Sequence, residues 1–266
     1  MKKYSSPVWM ISLITTSFLF SACSKINQDC SDVGKYCRIE SLDVDLYGSG
    51  QPWHIQFFYN AAGDPLETRL MNGLYGNDNH FRYDRKGRLS DVLATDPGQT
   101  FVYIWDRYSY PSPRLIIDST YEYQGNVNDP NPPNYPDLSV RITKMQLDEL
   151  GRPVKFLTYY SDGGIPPSTF ELSYDARGNL VSPNAVYDDK VNIYRTSKVW
   201  QLLYLDYSRN NRVGGGGMTG LPVTPNAYNA YGLPTKFLGP FVWIFGYSFY
   251  TMNVTYSCDV PAGMAK

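Results

Sequence analysis

Tyr83-Asp84-Arg85-Lys86-Gly87-Arg88-Leu89 and Tyr174-Asp175-Ala176-Arg177-Gly178-Asn179-Leu180 carry one pattern: an aromatic residue, an acid, two free positions, glycine, one free position and an aliphatic residue. Three looser copies are Tyr59-Asn60-Ala61-Ala62-Gly63-Asp64-Pro65, Leu147-Asp148-Glu149-Leu150-Gly151-Arg152-Pro153 and Tyr228-Asn229-Ala230-Tyr231-Gly232-Leu233-Pro234. The spacing has a mechanism. Asp or Asn at the second position accepts hydrogen bonds from backbone N–H groups just ahead of it. Two right-handed residues follow, and glycine then takes the left-handed conformation that joins right-twisted strands through a bulge. The pairs Asn60/Gly63, Asp84/Gly87, Asp148/Gly151, Asp175/Gly178 and Asn229/Gly232 are therefore read as five hairpin turns. The tyrosine before each turn and the residue after it are expected to pack across the hairpin mouth. Tyr207-Ser208-Arg209-Asn210-Asn211-Arg212-Val213 reads as a degenerate sixth copy, because asparagine tolerates positive φ.

Outward from the turns, the sequence alternates as half-buried strands do. Trp53 to Tyr59, Val140 to Lys144, Lys155 to Tyr160 and Phe170 to Tyr174 flank turns. Phe101-Val102-Tyr103-Ile104-Trp105 is expected to put three rings on one face, and Leu115 to Tyr123 continues the series. Phe241 to Tyr256 is apolar on both faces, which predicts a central or doubly covered strand. No segment shows a helical period; 186–206 is the least regular. Pro130, Pro132, Pro133 and Pro136 mark 126–137 as a loop or extended arm, and Gly214 to Gly217 reads as a flexible link or loop tip. The expected fold is all-β: an antiparallel meander of repeated hairpins forming one large curved, partly open sheet over residues 38–266.

The repeats resemble the tyrosine–aspartate (YD) repeats of Rhs-type proteins, with the copies at Tyr83 and Tyr174 the most similar. Those families wind hairpin after hairpin into long curved sheets, and uncharacterised lipoproteins carry looser versions. The resemblance implies a hairpin-built sheet across most of 38–258. Starts at 59, 83, 147, 174 and 228 are separated by 24, 64, 27 and 54 residues, so insertions or eroded copies interrupt the series. The chain is too short to enclose a toxin as full Rhs proteins do.

The first residues read as an address. Met1-Lys2-Lys3 is basic, Val8 to Phe20 is apolar with interspersed hydroxyls, and Phe20-Ser21-Ala22-Cys23 follows. A basic start, a short apolar stretch and small residues describe an export signal, shorter than the ~20 apolar residues of a spanning helix. Cys23 after Ser-Ala resembles a bacterial lipobox, although Phe20 stands where leucine is usual. That resemblance implies removal of 1–22, a lipid on Cys23, and a polar tether over 23–37. Multiple acyl chains give lasting membrane residence. Ser24 in place of aspartate implies the outer membrane, with the leaflet open; Asp29 and Asp32 are the nearby acids. Cys30, Cys37 and Cys258 then remain in an oxidising compartment. Cys30–Cys37 closes a short loop, whereas Cys37–Cys258 closes a long one and is preferred because it removes more unfolded-state entropy. Three free thiols are the alternative.

Composition narrows the chemistry. Lys and Arg number 24 against 25 Asp and Glu, for a formal charge of -1, which argues against a nucleic-acid partner. The 24 tyrosines, 22 glycines and 19 prolines favour strands and turns. With only His54 and His80, and no zinc, phosphate-loop or nucleophile-elbow spacing, no metal or cofactor is expected. His54 reads as a strand residue, and His80 beside Asp78 as part of a polar loop. Surplus rings at Tyr103, Trp105, Tyr108, Tyr110 and Tyr135 are candidates for stacking on sugar or peptide. Asp106, Asp118, Glu122 and Glu171 are strand-borne acids from which a glycosidase pair would have to come. The expectation is a lipid-anchored envelope protein with a structural or binding role toward a glycan, peptide or protein. A carbohydrate-active hydrolase is the alternative. Two carboxylates facing each other in a cleft would favour the enzyme; a solvent-facing row of rings would favour binding.

Overall fold

The computed structural model describes residues 37–45, 52–72, 76–129, 139–214, 224–239 and 250–258. The expected export signal, Cys23, Cys30, Tyr135, the proline cluster at 130–136, Gly215 to Gly217 and 241–249 lie outside them.

Ten strands follow one another as neighbours: β1 (Cys37–Asp45), β2 (Trp53–Tyr59), β3 (Pro65–Asn72), β4 (Asp78–Tyr83), β5 (Leu89–Thr95), β6 (Phe101–Ser112), β7 (Leu115–Asn126), β8 (Val140–Leu147), β9 (Pro153–Tyr160) and β10 (Ser168–Glu171). The chain then makes a separate two-stranded ribbon of β11 (Val186–Val191) and β12 (Asn210–Gly214). Between them lie a 3-10 turn (Ile193–Thr196) and a helix, α1 (Lys198–Tyr204). It returns as β13 (Thr224–Tyr228), β14 (Pro234–Gly239) and β15 (Tyr250–Cys258), and β15 pairs with β1. The result is a 13-stranded antiparallel sheet in the order 10-9-8-7-6-5-4-3-2-1-15-14-13. Its edges among the described residues are β10 and β13. The fold is all-β, as its turn pattern requires.

All five motif glycines have positive φ, from +73° to +89°. In each turn the glycine N–H donates to the carbonyl of the Asp or Asn three residues earlier, at 2.9–3.1 Å. The acid side chain does the rest. Asp84 Oδ1 accepts from the Lys86 and Arg88 N–H groups at 2.8 and 3.0 Å, and Asp148 Oδ1 from Leu150 and Arg152 at 2.9 Å. Asp175 and Asn229 make the same two bonds, while Asn60 Oδ1 accepts from Asp64 at 2.9 Å. First and seventh motif residues are direct cross-strand partners, as in Tyr83 with Leu89 and Tyr174 with Leu180.

The tyrosine hydroxyls do more than fill the hairpin mouth. Tyr83 donates to the Pro65 carbonyl at 2.6 Å, the residue that closes the preceding turn. Leu89, Pro153, Leu180 and Pro234 close the other turns, and their carbonyls accept from Tyr110, Tyr174, Tyr187 and Tyr256 at 2.6–3.1 Å. Every closing residue is thus latched by a later tyrosine. In two copies a cation is added. Arg88 pairs with Asp84 at 2.6 Å and lies 4.1 Å from the Tyr110 ring centre. Arg152 pairs with Asp148 at 2.7 Å and lies 4.1 Å from Tyr174.

Three expectations are corrected. Tyr207 to Val213 is no turn: Asn211 is buried in β12, its backbone N–H and side-chain amide both donating to Asp188 at 3.0 and 3.1 Å. The segment 186–206 contains a helix, because Ser197 caps it by accepting from Val199 N–H at 3.1 Å. Val199, Trp200, Leu202, Leu203 and Tyr204 are buried along it. Seven residues are too few for a visible period, and tertiary burial holds such a short helix. The rings of Phe101, Tyr103 and Trp105 do not share a face, since a bulge between Val102 and Ile104 breaks the alternation. Trp105 is fully buried with Val102 and Leu93, while Phe101 is exposed.

The main core lies on one face, termed inner here. Trp200 of α1 meets Phe57 and Phe81 edge-on, with ring centres 5.4 and 5.5 Å apart. Ile55, Leu70, Val92, Ile116, Met145 and Phe156 belong to the same buried cluster. The excursion between β10 and β13 thus supplies part of the packing for that face. Cys37 and Cys258 form a disulfide at the β1–β15 joint, Cα atoms 4.0 Å apart and 221 residues apart in sequence.

Candidate functional site

The strand period places two aspartates on the inner face. Val92, Asp106, Thr120, Arg141 and Tyr160 are successive cross-strand partners from β5 to β9. Tyr108, Asp118, Thr143 and Thr158 form the adjacent row. Asp106 and Asp118 are diagonal neighbours on one face of β6 and β7, with backbones about 7–8 Å apart in such a pair. Asp106 is fully buried and Asp118 is 6% exposed. Among the described residues Oδ1 of Asp118 has no hydrogen-bond partner, and Asp106 has only the Thr120 hydroxyl beside it, short of full hydrogen-bond geometry.

Their electrostatics follow from that placement. Burial pushes the Asp106 carboxyl up to about 6, opposed by the Thr120 hydroxyl and the Arg141 guanidinium. Burial, reinforced by the Asp106 charge, holds Asp118 well above the usual carboxylate range; Arg141 opposes this. Arg141 Nη2 donates to Thr120 Oγ1 at 3.0 Å, and the Thr143 and Thr158 hydroxyls are bonded at 3.1 Å. The Thr120 hydroxyl thus accepts from Arg141 and keeps its own proton for Asp106, which it favours in the charged form against burial. Two like charges in a dry face favour the protonated form.

The other acids behave differently. Glu122 is exposed, and Glu171 pairs with Lys155 at 2.9 Å. Asp84 is held below the usual carboxylate range by the Arg88 N–H and side chain. His80 lies in β4 and not in a loop, its imidazole held below its ordinary value mainly by burial. Asp78 accepts from the Leu70 and Gly98 N–H groups at 2.8 Å, so its carboxylate is engaged. His54 lies in β2 and meets Asp43 at 2.7 Å. Among the described residues no group of three potential ligands gathers as a metal centre would require.

The expected row of accessible rings is dispersed, because strand alternation and the β6 bulge send its members to different environments. Trp105 is buried, its Nε1–H donating to Asp91 at 2.8 Å, with Arg82 and Arg107 over the ring at 5.0 and 5.9 Å. Tyr108 is buried beside the acid pair, and Tyr110 is a latch. Tyr103 is half-buried, with its hydroxyl pushed up to about 12 by burial.

Sequence reasoning named Asp106 and Asp118 among four acids without pairing them. Their even spacing on strands joined by a short turn carried the signal, but register alone decides the partner. It missed the tyrosine latches. Four of these fall 18 to 22 residues after the residue they hold, and that recurrence was the available clue. Comparison with protein-family models and with curated proteins finds no match.

Proposed function

We propose that the protein is a lipid-anchored component of the cell envelope, held by Cys23, whose sheet has a structural or binding role toward a glycan, peptide or protein. The observation that carries this reading is the burial of the inner-face core and of its acid pair. Trp200 of the chain's own α1 packs on Phe57 and Phe81 there, and Asp106 and Asp118 are shut from solvent. A hydrolase needs two carboxyls that touch a substrate, so the enzymatic alternative is the weaker one. The anchor reading is further supported by where a tether from Cys23 would meet the body. That place is Cys37, in an interior strand paired on both sides and cross-linked to β15. Load applied there meets the disulfide and the β15 ladder first, and the β2 ladder joins from Ser41 onward.

The test is fractionation of cells producing the wild type and Cys23→Ala. The wild type should remain with membranes and the variant should appear in the soluble fraction. Equal membrane partition of both would remove the anchor from this reading.

A further inference from the structure

We propose that Asp106 and Asp118 share a single proton across the β6–β7 joint near neutral pH, making this joint a built-in pH-sensitive element that tightens on acidification. The placement carries the idea. The two carboxyls are diagonal neighbours on one face, both are buried, and among the described residues the Thr120 hydroxyl beside Asp106 is the one side-chain donor near them. A buried carboxylate so poorly supplied with donors is costly. A proton is the smallest species that neutralises one acid and so relieves the other of a like charge, as in other carboxyl pairs that ionise in two separated steps.

The surroundings are consistent with one proton and not two charges. The groups facing the pair among the described residues are Val92 from β5, Tyr108 from β6, Thr120 and Glu122 from β7, Arg141 and Thr143 from β8, and Tyr160 and Thr158 from β9. Arg141 is the one cation among them and is exposed, which weakens its compensation. Tyr108, buried against Asp118, holds its phenolic proton well above the ordinary value, by burial first and then by both acids. It therefore offers no charge relief. Among the described residues Arg141 is the one charged group outside the pair that acts on either carboxyl.

The sign is fixed by linkage. Both acids bind protons more strongly folded than unfolded, so their contribution is fully present below about pH 4, the unfolded value, and is lost as pH rises through about 6 and beyond. Acidification from neutral toward pH 5 therefore stabilises the joint.

The test compares the full-length wild type with Asp106→Asn, Asp118→Asn and the double variant by urea unfolding between pH 4 and 8. The first ionisation alone should raise the wild-type unfolding constant, relative to the double variant, by on the order of fifty-fold across that window. Each single variant should remove more than half of this dependence, because the proton is shared. A wild-type-to-double ratio that stays constant with pH overturns the proposal, as do single-variant slopes that simply add. Infrared spectra give a readout that needs no variant to fold: at pH 7 the wild type should retain a protonated-carboxyl band. Full ionisation of all carboxyls at pH 7 also overturns it.

Discussion

Gly87→Ala isolates the backbone requirement of the turn motif. Gly87 has φ +73°, and a Cβ built there meets nothing within 4 Å. No clash contributes, so the whole effect is that of placing an L side chain in the left-handed region, roughly 1–2 kcal/mol. Alanine also narrows the unfolded ensemble, which offsets part of that cost. The expected outcome is a loss of about 1 kcal/mol or somewhat more, read as a lower urea midpoint at unchanged slope. A domain of this size would then lose about 2–4 °C in melting temperature per kcal/mol. Gly87→Asn should cost less than Gly87→Ala, since asparagine tolerates positive φ. Gly63→Ala should cost more. There the added Cβ comes 2.7 Å from Arg38 Nη2, and moving that guanidinium disturbs its position 5.7 Å from the Tyr59 ring centre. A Gly87→Ala protein as stable as the wild type, or an asparagine variant worse than the alanine one, would refute the assignment of the turn's left-handed position.

Two more outcomes follow from the latches. Tyr83→Phe keeps the ring and removes the donor to Pro65, so stability should fall by about 0.5–1.5 kcal/mol in urea, and an unchanged midpoint would count against the latch. Alkaline titration should show the tyrosines ionising late. Burial raises Tyr83, Tyr174 and Tyr256 above the ordinary value, and pushes Tyr110 up to about 12 against the pull of Arg88. The folded form holds these protons more tightly, so their stabilisation persists below about pH 10 and is lost as pH rises through about 12. Phenolate absorbance should therefore rise together with unfolding; full ionisation near pH 10 in a still-folded protein would contradict the buried hydroxyls.

How far the sequence could be read depended on the range of the interaction. Turns such as Asp84 to Gly87 were legible because all of their hydrogen bonds close within five residues. The alternation of β2, β8 and β9 was legible for the same local reason. The β1–β15 closure was favoured only through loop entropy at Cys37 and Cys258. Nothing local marks β15 as the partner of β1. The helix at 198–204 was invisible because its stability comes from Trp200 meeting Phe57 and Phe81, more than a hundred residues away. The ring row failed because a single bulge residue reverses every side chain beyond it. The acid pair depended on the register of β6 against β7, which no residue type announces.

The closure of the sheet also sets a schedule. β1 is the earliest strand of the described body, and one of its two neighbours is the last. During synthesis one side of β1 therefore stays unpaired until the carboxy-terminal end arrives. Joints between distant parts of a chain form slowly, and an open strand edge invites wrong pairing meanwhile. Once the ends have met, both termini of the body leave from the same place. New ends could then be opened at a distant hairpin and the old ones linked, with the order of strands left unchanged.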